Sequence, residues 1–175
     1  MKINIKFSFS KYGFTFLELV ITIAVLSILI GAAFTNYSRF NQRQGLIAGG
    51  QTMKNVLRDA QSRTFTSEVD CSACNCTASD RSEFSGWFVD FTRREIYGQC
   101  EDQTYSEKPF GLASDIFIAV YPSVDGFLFR ATPPGVSSQV TICLTKSDTP
   151  GLFYKLIVES SGNILDSGKL DETCP

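Results

Sequence analysis

Between Phe14 and Phe34 the chain runs 21 residues with a single ionisable side chain, Glu18. As a helix rising about 1.5 Å per residue, this run is roughly 31 Å long, a match to a hydrocarbon layer of about 30 Å. Thirteen of its residues are Phe, Leu, Ile or Val. At about −0.3 to −0.6 kcal/mol each, they favour insertion by about 4 to 8 kcal/mol. An acid at mid-membrane costs about 2.5–3.5 kcal/mol, and Glu18 lies near one end of the run, so insertion wins. An ionisable group kept inside such a segment reads as functional and requires a partner.

Two ordinary readings of the run fit less well. A cleaved secretory signal has an apolar core of about 7–15 residues followed by a small-x-small site. This core is longer, and its small-residue candidate, Gly31-Ala32-Ala33, lies deep within it. A plain signal anchor gives no reason to keep Glu18. Lys2, Lys6 and Lys11 precede the run and Arg39 and Arg43 follow it, a bias that favours a cytoplasmic N-terminus.

The string Gly13-Phe14-Thr15-Phe16-Leu17-Glu18, continued by the apolar run, resembles the prepilin signature of type IV pilins and type II secretion pseudopilins. The resemblance implies a leader over residues 1–13 and cleavage between Gly13 and Phe14 by a membrane prepilin peptidase, which also N-methylates Phe14. It further implies that Glu18, the fifth mature residue, pairs in a filament with the amine of Phe14 on a neighbouring subunit. One departure stands out. Many pilins have Pro at the twenty-second mature position, where this chain has Thr35, followed by Asn36 and Tyr37. Gly45, Gly49 and Gly50 are the substitute weak points, since each Gly costs about 0.8–1 kcal/mol against Ala in a helix interior.

Four regions are expected: the leader, residues 1–13; a transmembrane and assembly helix, 14–34; an amphipathic helical stem, 35–65; and an exposed, disulfide-containing β domain, 66–175. In the stem, Leu46, Met53, Val56, Leu57 and Ala60 make one apolar stripe, with Arg39, Arg43, Lys54, Arg58 and Arg63 around it. Residues 66–83 are polar and Cys-containing without periodicity, and read as a loop. Seven strands are expected, over 84–91, 95–100, 115–121, 126–131, 139–144, 152–159 and 164–167, each rich in Val, Ile, Phe or Tyr and bounded by turn residues. Pro133-Pro134-Gly135 and Thr149-Pro150-Gly151 are turn punctuation, and Ser161-Gly162-Asn163 reads as a hairpin. A helix followed only by strands gives an α+β fold with an antiparallel sheet. Gly86-Trp87-Phe88-Val89-Asp90-Phe91 with residues 126–131 and 156–164 also resembles, more loosely, the β domain of H-type minor pseudopilins and their minor-pilin relatives (GspH/FimT-like).

Cys71, Cys74, Cys76, Cys100, Cys143 and Cys174 all follow the apolar run. An even set in an exported domain reads as a disulfide framework. At least two bridges are expected, one tying the 71–76 loop to a strand cysteine such as Cys100 or Cys143, and Cys174 holding the C-terminus. The competing reading is a metal site at Cys71-x-x-Cys74-x-Cys76, but structural zinc takes four ligands, often from paired knuckles or with His, and this chain has one tight cluster and no His. No metal and no cofactor are expected.

Residues 66–175 hold eight Lys/Arg and sixteen Asp/Glu, a net charge of −8. A surface of that sign offers no footprint for nucleic acid. The acidic tail Asp166, Asp171 and Glu172 fits no calcium loop and reads as solvated surface. Without His, and without a phosphate-binding loop or a HExxH motif, the chain is not read as an enzyme. The resemblance implies a minor pilin or pseudopilin, a structural subunit anchored by one pass in the cytoplasmic membrane before assembly. Its partners are prepilin peptidase and other pilin or pseudopilin subunits, and its C-terminal domain is periplasmic or extracellular. A DNA-receptor minor pilin and a major filament subunit are the alternatives; the −8 charge argues against the first.

Overall fold

In the computed structural model the described residues are 15–77, 80, 84–101 and 103–175, with backbone alone for 32–36. Helix α1 runs from Phe16 to Phe65, and eight strands follow it: β1 Phe84–Asp90, β2 Glu95–Cys100, β3 Thr104–Pro109, β4 Ile116–Tyr121, β5 Gly126–Arg130, β6 Val140–Lys146, β7 Phe153–Val158 and β8 Ile164–Asp171. The chain divides into two compact units between Asn41 and Gln42. The helix from Gln42 onward therefore shares a unit with all eight strands.

The strands form two four-stranded antiparallel sheets rather than one, ordered β3-β2-β1-β5 and β4-β6-β7-β8. Their inward positions alternate, as half-buried strands require: Trp87 and Val89 on β1, Tyr154, Leu156 and Val158 on β7. Leu46, Met53, Leu57 and Ala60 of α1 are fully buried in the same core, with Val56 packed at its margin. The stripe read from sequence is thus the face that packs on the sheets.

Three expectations are corrected. Strand β3 is not among the expected strands. Its residues, Thr-Tyr-Ser-Glu-Lys-Pro, are polar and bury only Tyr105, because an edge strand needs neither two apolar faces nor every N–H. Strand β8 extends past Ser167 to Asp171, with Gly168 at φ 66° and a register shift between Tyr154 and Leu156 on its partner. Gly49 and Gly50 are not weak points. Both are buried in a continuous helix, where a Cβ on Gly50 would overlap the Tyr154 ring and one on Gly49 the Ile116 side chain. The hairpin at Ser161-Gly162-Asn163 is present, with Val158 opposite Ile164, Gly162 at φ 86°, and the Glu159 N–H donating to the Asn163 carbonyl at 2.9 Å.

Candidate functional site

Gly13 and Phe14 lie outside the described residues. Thr15 immediately precedes α1, and its Oγ1 accepts a hydrogen bond from the Glu18 N–H at 3.3 Å. Thr15 is therefore the N-cap and Glu18 the third helical residue, the Thr-x-x-Glu arrangement of a capping box. This pattern is not among the expectations above, although its spacing alone discloses it. A carboxylate in the first turn also meets the positive end of the helix dipole.

From Leu19 to Gly31 the helix presents apolar residues on every side. Phe16 is 83% exposed, and Leu19, Val20, Ile21 and Leu29, spread around the axis, are exposed as well. The hydroxyls in this stretch are satisfied internally: Thr22 donates to the Leu19 carbonyl and Ser27 to the Ile23 carbonyl, each at 2.8 Å. A helix apolar all round needs lipid or other helices about it. Among the described residues no helix is long and apolar enough to cross a membrane. Phe14 and the side chains of residues 32–36, which complete the run, are outside that set.

In the second unit all six cysteines are paired: Cys71 with Cys76, Cys74 with Cys100, and Cys143 with Cys174. None of the three clustered sulfurs is left as a thiolate. Cys74–Cys100 fastens the loop to the end of β2. Cys143 lies opposite Ala119 and Lys155, whereas its neighbours Ile142 and Leu144 face the core. Its bridge therefore straps the C-terminal residues over the outer face of the second sheet.

Hydrogen bonds hold the loop as well. The Glu68 carbonyl accepts from Trp87 Nε1 at 3.1 Å and from the Tyr105 hydroxyl at 2.9 Å. Burial, aided by the charges of Glu68 and Asp70, pushes the Tyr105 phenol up to about 12. Asp70 accepts from the Ser72 hydroxyl and backbone N–H at 2.6 and 2.9 Å, which hold its carboxyl below the ordinary range. Arg63 pairs with Asp59 and Glu68 and lies 4.9 Å over the Trp87 ring.

The acidic tail is not uniformly solvated. The Asp166 side chain is 6% exposed and pairs with Lys54 Nζ at 2.8 Å. The pair joins α1 to β8, a contact that the sequence alone did not disclose.

A helix that begins on a capped, acid-bearing apolar run and continues into an antiparallel β domain is type IV pilin-like, and residues 9–34 match the prokaryotic N-terminal methylation motif. The fold is similar to the crystal structure of the type IV minor pilin FimU from Pseudomonas aeruginosa (strain PAO1). The match has a TM-score of 0.54 at 12% identity and covers 78% of this chain and 99% of that one. Comparison with curated protein sequences gives no match.

Proposed function

We propose that this chain is a minor subunit of a type IV pilus or of the related type II secretion pseudopilus, made as a prepilin. The observation that carries the reading is the joining of a methylation motif over residues 9–34 to a pilin-like fold. Prepilin peptidase cuts between Gly13 and Phe14 and methylates Phe14. The run 14–34 then rests in the cytoplasmic membrane, N-terminus inward, while residues 66–175 are exported to a compartment where their three disulfides persist.

The chain performs no chemistry of its own and is the substrate of the peptidase. Assembly transfers the apolar surface of α1 from lipid to the helices of other subunits, which matches it equally well. The transfer is made specific by charge, because Glu18 gains the amine of a neighbouring Phe14 where the apolar surroundings penalise an unpaired acid.

N-terminal mass analysis of the membrane-extracted protein tests the reading. A chain starting at methylated Phe14 is expected; a start near Ala33 means ordinary secretion and overturns it.

A further inference from the structure

Among the described residues the two sheets have four edge strands, and three are blunted. β3 carries Glu107, Lys108 and Pro109, and β8 carries Asp166, Lys169 and Asp171. β5 ends in Arg130, which is bridged on its far side by Gly135. β4 closes the second sheet with the sequence Ile-Phe-Ile-Ala-Val-Tyr, free of charge, Pro and Gly. An edge of that composition is a template for another strand, which proteins otherwise guard against. Phe117 and Tyr121, on one face of β4, are 57% and 41% exposed.

A cleft of about 200 Å³ lies between residues 116–118 of β4, Phe91 and Arg94. Arg94 also lines a neighbouring cleft of about 320 Å³ together with Arg93, Phe110 and Leu112. Its backbone is left-handed, at φ 60°. The position is held by the Phe110 N–H, which donates to the Arg94 carbonyl at 2.8 Å, and by its own guanidinium, which donates to the Ala113 carbonyl at 3.1 Å. Among the described residues Arg94 has no carboxylate partner. Arg93 is 66% exposed and reaches Asp90 and Glu95 only at 3.9 and 3.6 Å. Asp115, the acid adjoining β4, is already paired with Lys146 at 3.3 Å. Arg94 is thus a cation without a carboxylate of its own at the mouth of both clefts, in a domain of net charge −8.

We infer that the β4 edge is a docking site for an extended, acidic peptide segment of another polypeptide. The segment adds to β4 through its backbone, sets an apolar side chain against Phe117 and Phe91, and places a carboxylate on Arg94. Main-chain pairing supplies the affinity of such an addition, and the guanidinium–carboxylate contact its selectivity. The site stands apart from the filament reading, since it needs neither processing nor Glu18.

The test uses the full chain in detergent micelles and fluorescein-labelled peptides of sequence Thr-Val-Thr-Val-Glu-Val-Thr, with Gln, Lys or Pro in place of the Glu, read by fluorescence polarisation. The Glu peptide should bind about tenfold more tightly than the Gln peptide, with the Lys and Pro peptides weaker still. Arg94→Gly suits the left-handed backbone and should keep the fold while abolishing the preference for Glu over Gln. Phe117→Lys, at an exposed position, should weaken every peptide. Equal binding of the Glu and Lys peptides overturns the inference, as does a preference that survives Arg94→Gly. A dimer lost in Phe117→Lys without any peptide binding assigns the edge to a second copy, and likewise overturns it.

Discussion

Glycine inside a helix ordinarily weakens it, so replacement by Ala stabilises an exposed site by about 0.8–1 kcal/mol. Gly45 and Gly50 are five residues apart in α1, yet they divide on this rule. A Cβ on Gly45 meets only the tip of Lys146, at 3.5 Å, whereas one on Gly50 overlaps the buried Tyr154 ring. Lys146 has a flexible stem and can shift; Tyr154 is fully buried and cannot. We expect Gly45→Ala to raise stability by about 0.5–1 kcal/mol, and Gly50→Ala to lower it by about 1–3 kcal/mol through overpacking. Thermal unfolding of the detergent-solubilised chain, followed by near-UV circular dichroism, checks the pair. Equal effects of one sign would mean that Tyr154 does not seat on Gly50. Helix propensity, a local quantity, treats the two glycines alike; what separates them is a ring more than a hundred residues downstream.

Elements legible in the sequence are those whose residues alternate or cluster by hydrophobicity, and the apolar stripe of α1 from Leu46 to Ala60 appeared for that reason. Strand β3 buries Tyr105 alone and leaves its other side chains in solvent, and so it left no pattern to read. The cysteine framework was legible as a framework, but the partner of each sulfur depends on how strands distant in sequence come together. The clefts beside β4 are equally non-local, assembled from the β1–β2 turn, the residues after β3 and an edge strand. The tie between α1 and β8 is of the same kind, and it carries a pH dependence. Burial disfavours the charged Asp166 carboxylate, but hydrogen bonds from Lys54 Nζ and the Gly168 N–H outweigh it, and the folded pKa falls below the ordinary 3.8. A depressed carboxylate contributes stability that is present above its unfolded pKa and is lost as pH falls through the folded value. Acid titration of unfolding should therefore show a loss below about pH 3.8 that Asp166→Asn flattens. At neutral pH, Lys54→Met should destabilise more than the double variant Lys54→Met/Asp166→Asn, because the single change strands a buried carboxylate. Single and double variants of equal stability would show that the pair contributes nothing.

At the scale of the molecule the two units differ in how complete they are. The unit from Gln42 onward closes a core of its own, while the helix before it exposes Phe16, Leu19, Val20, Ile21 and Leu29 with none of the described residues covering them. Only lipid or further helices can complete it, and Glu18 decides which geometry of helices is accepted, if its charge is what matters. The capping box supplies a rival account: Glu18 would be kept to finish the first turn with Thr15, whose Oγ1 already accepts the Glu18 N–H at 3.3 Å. The two accounts separate on a neutral isostere. Gln serves the third position of a capping box as Glu does, but offers no charge to an amine. Ala offers neither. Under the counter-charge account, Glu18→Gln and Glu18→Ala both insert into the membrane at least as well as the native chain, since removing an acid from an apolar run is favourable by up to about 3 kcal/mol. Both then fail to enter filaments to a similar degree. Under the capping account, Gln enters filaments normally and Ala alone is impaired. We expect the first pattern, measured as the ratio of filament-borne to membrane-borne subunit for each variant. Normal incorporation of Glu18→Gln would assign Glu18 to the start of the helix and remove it from assembly.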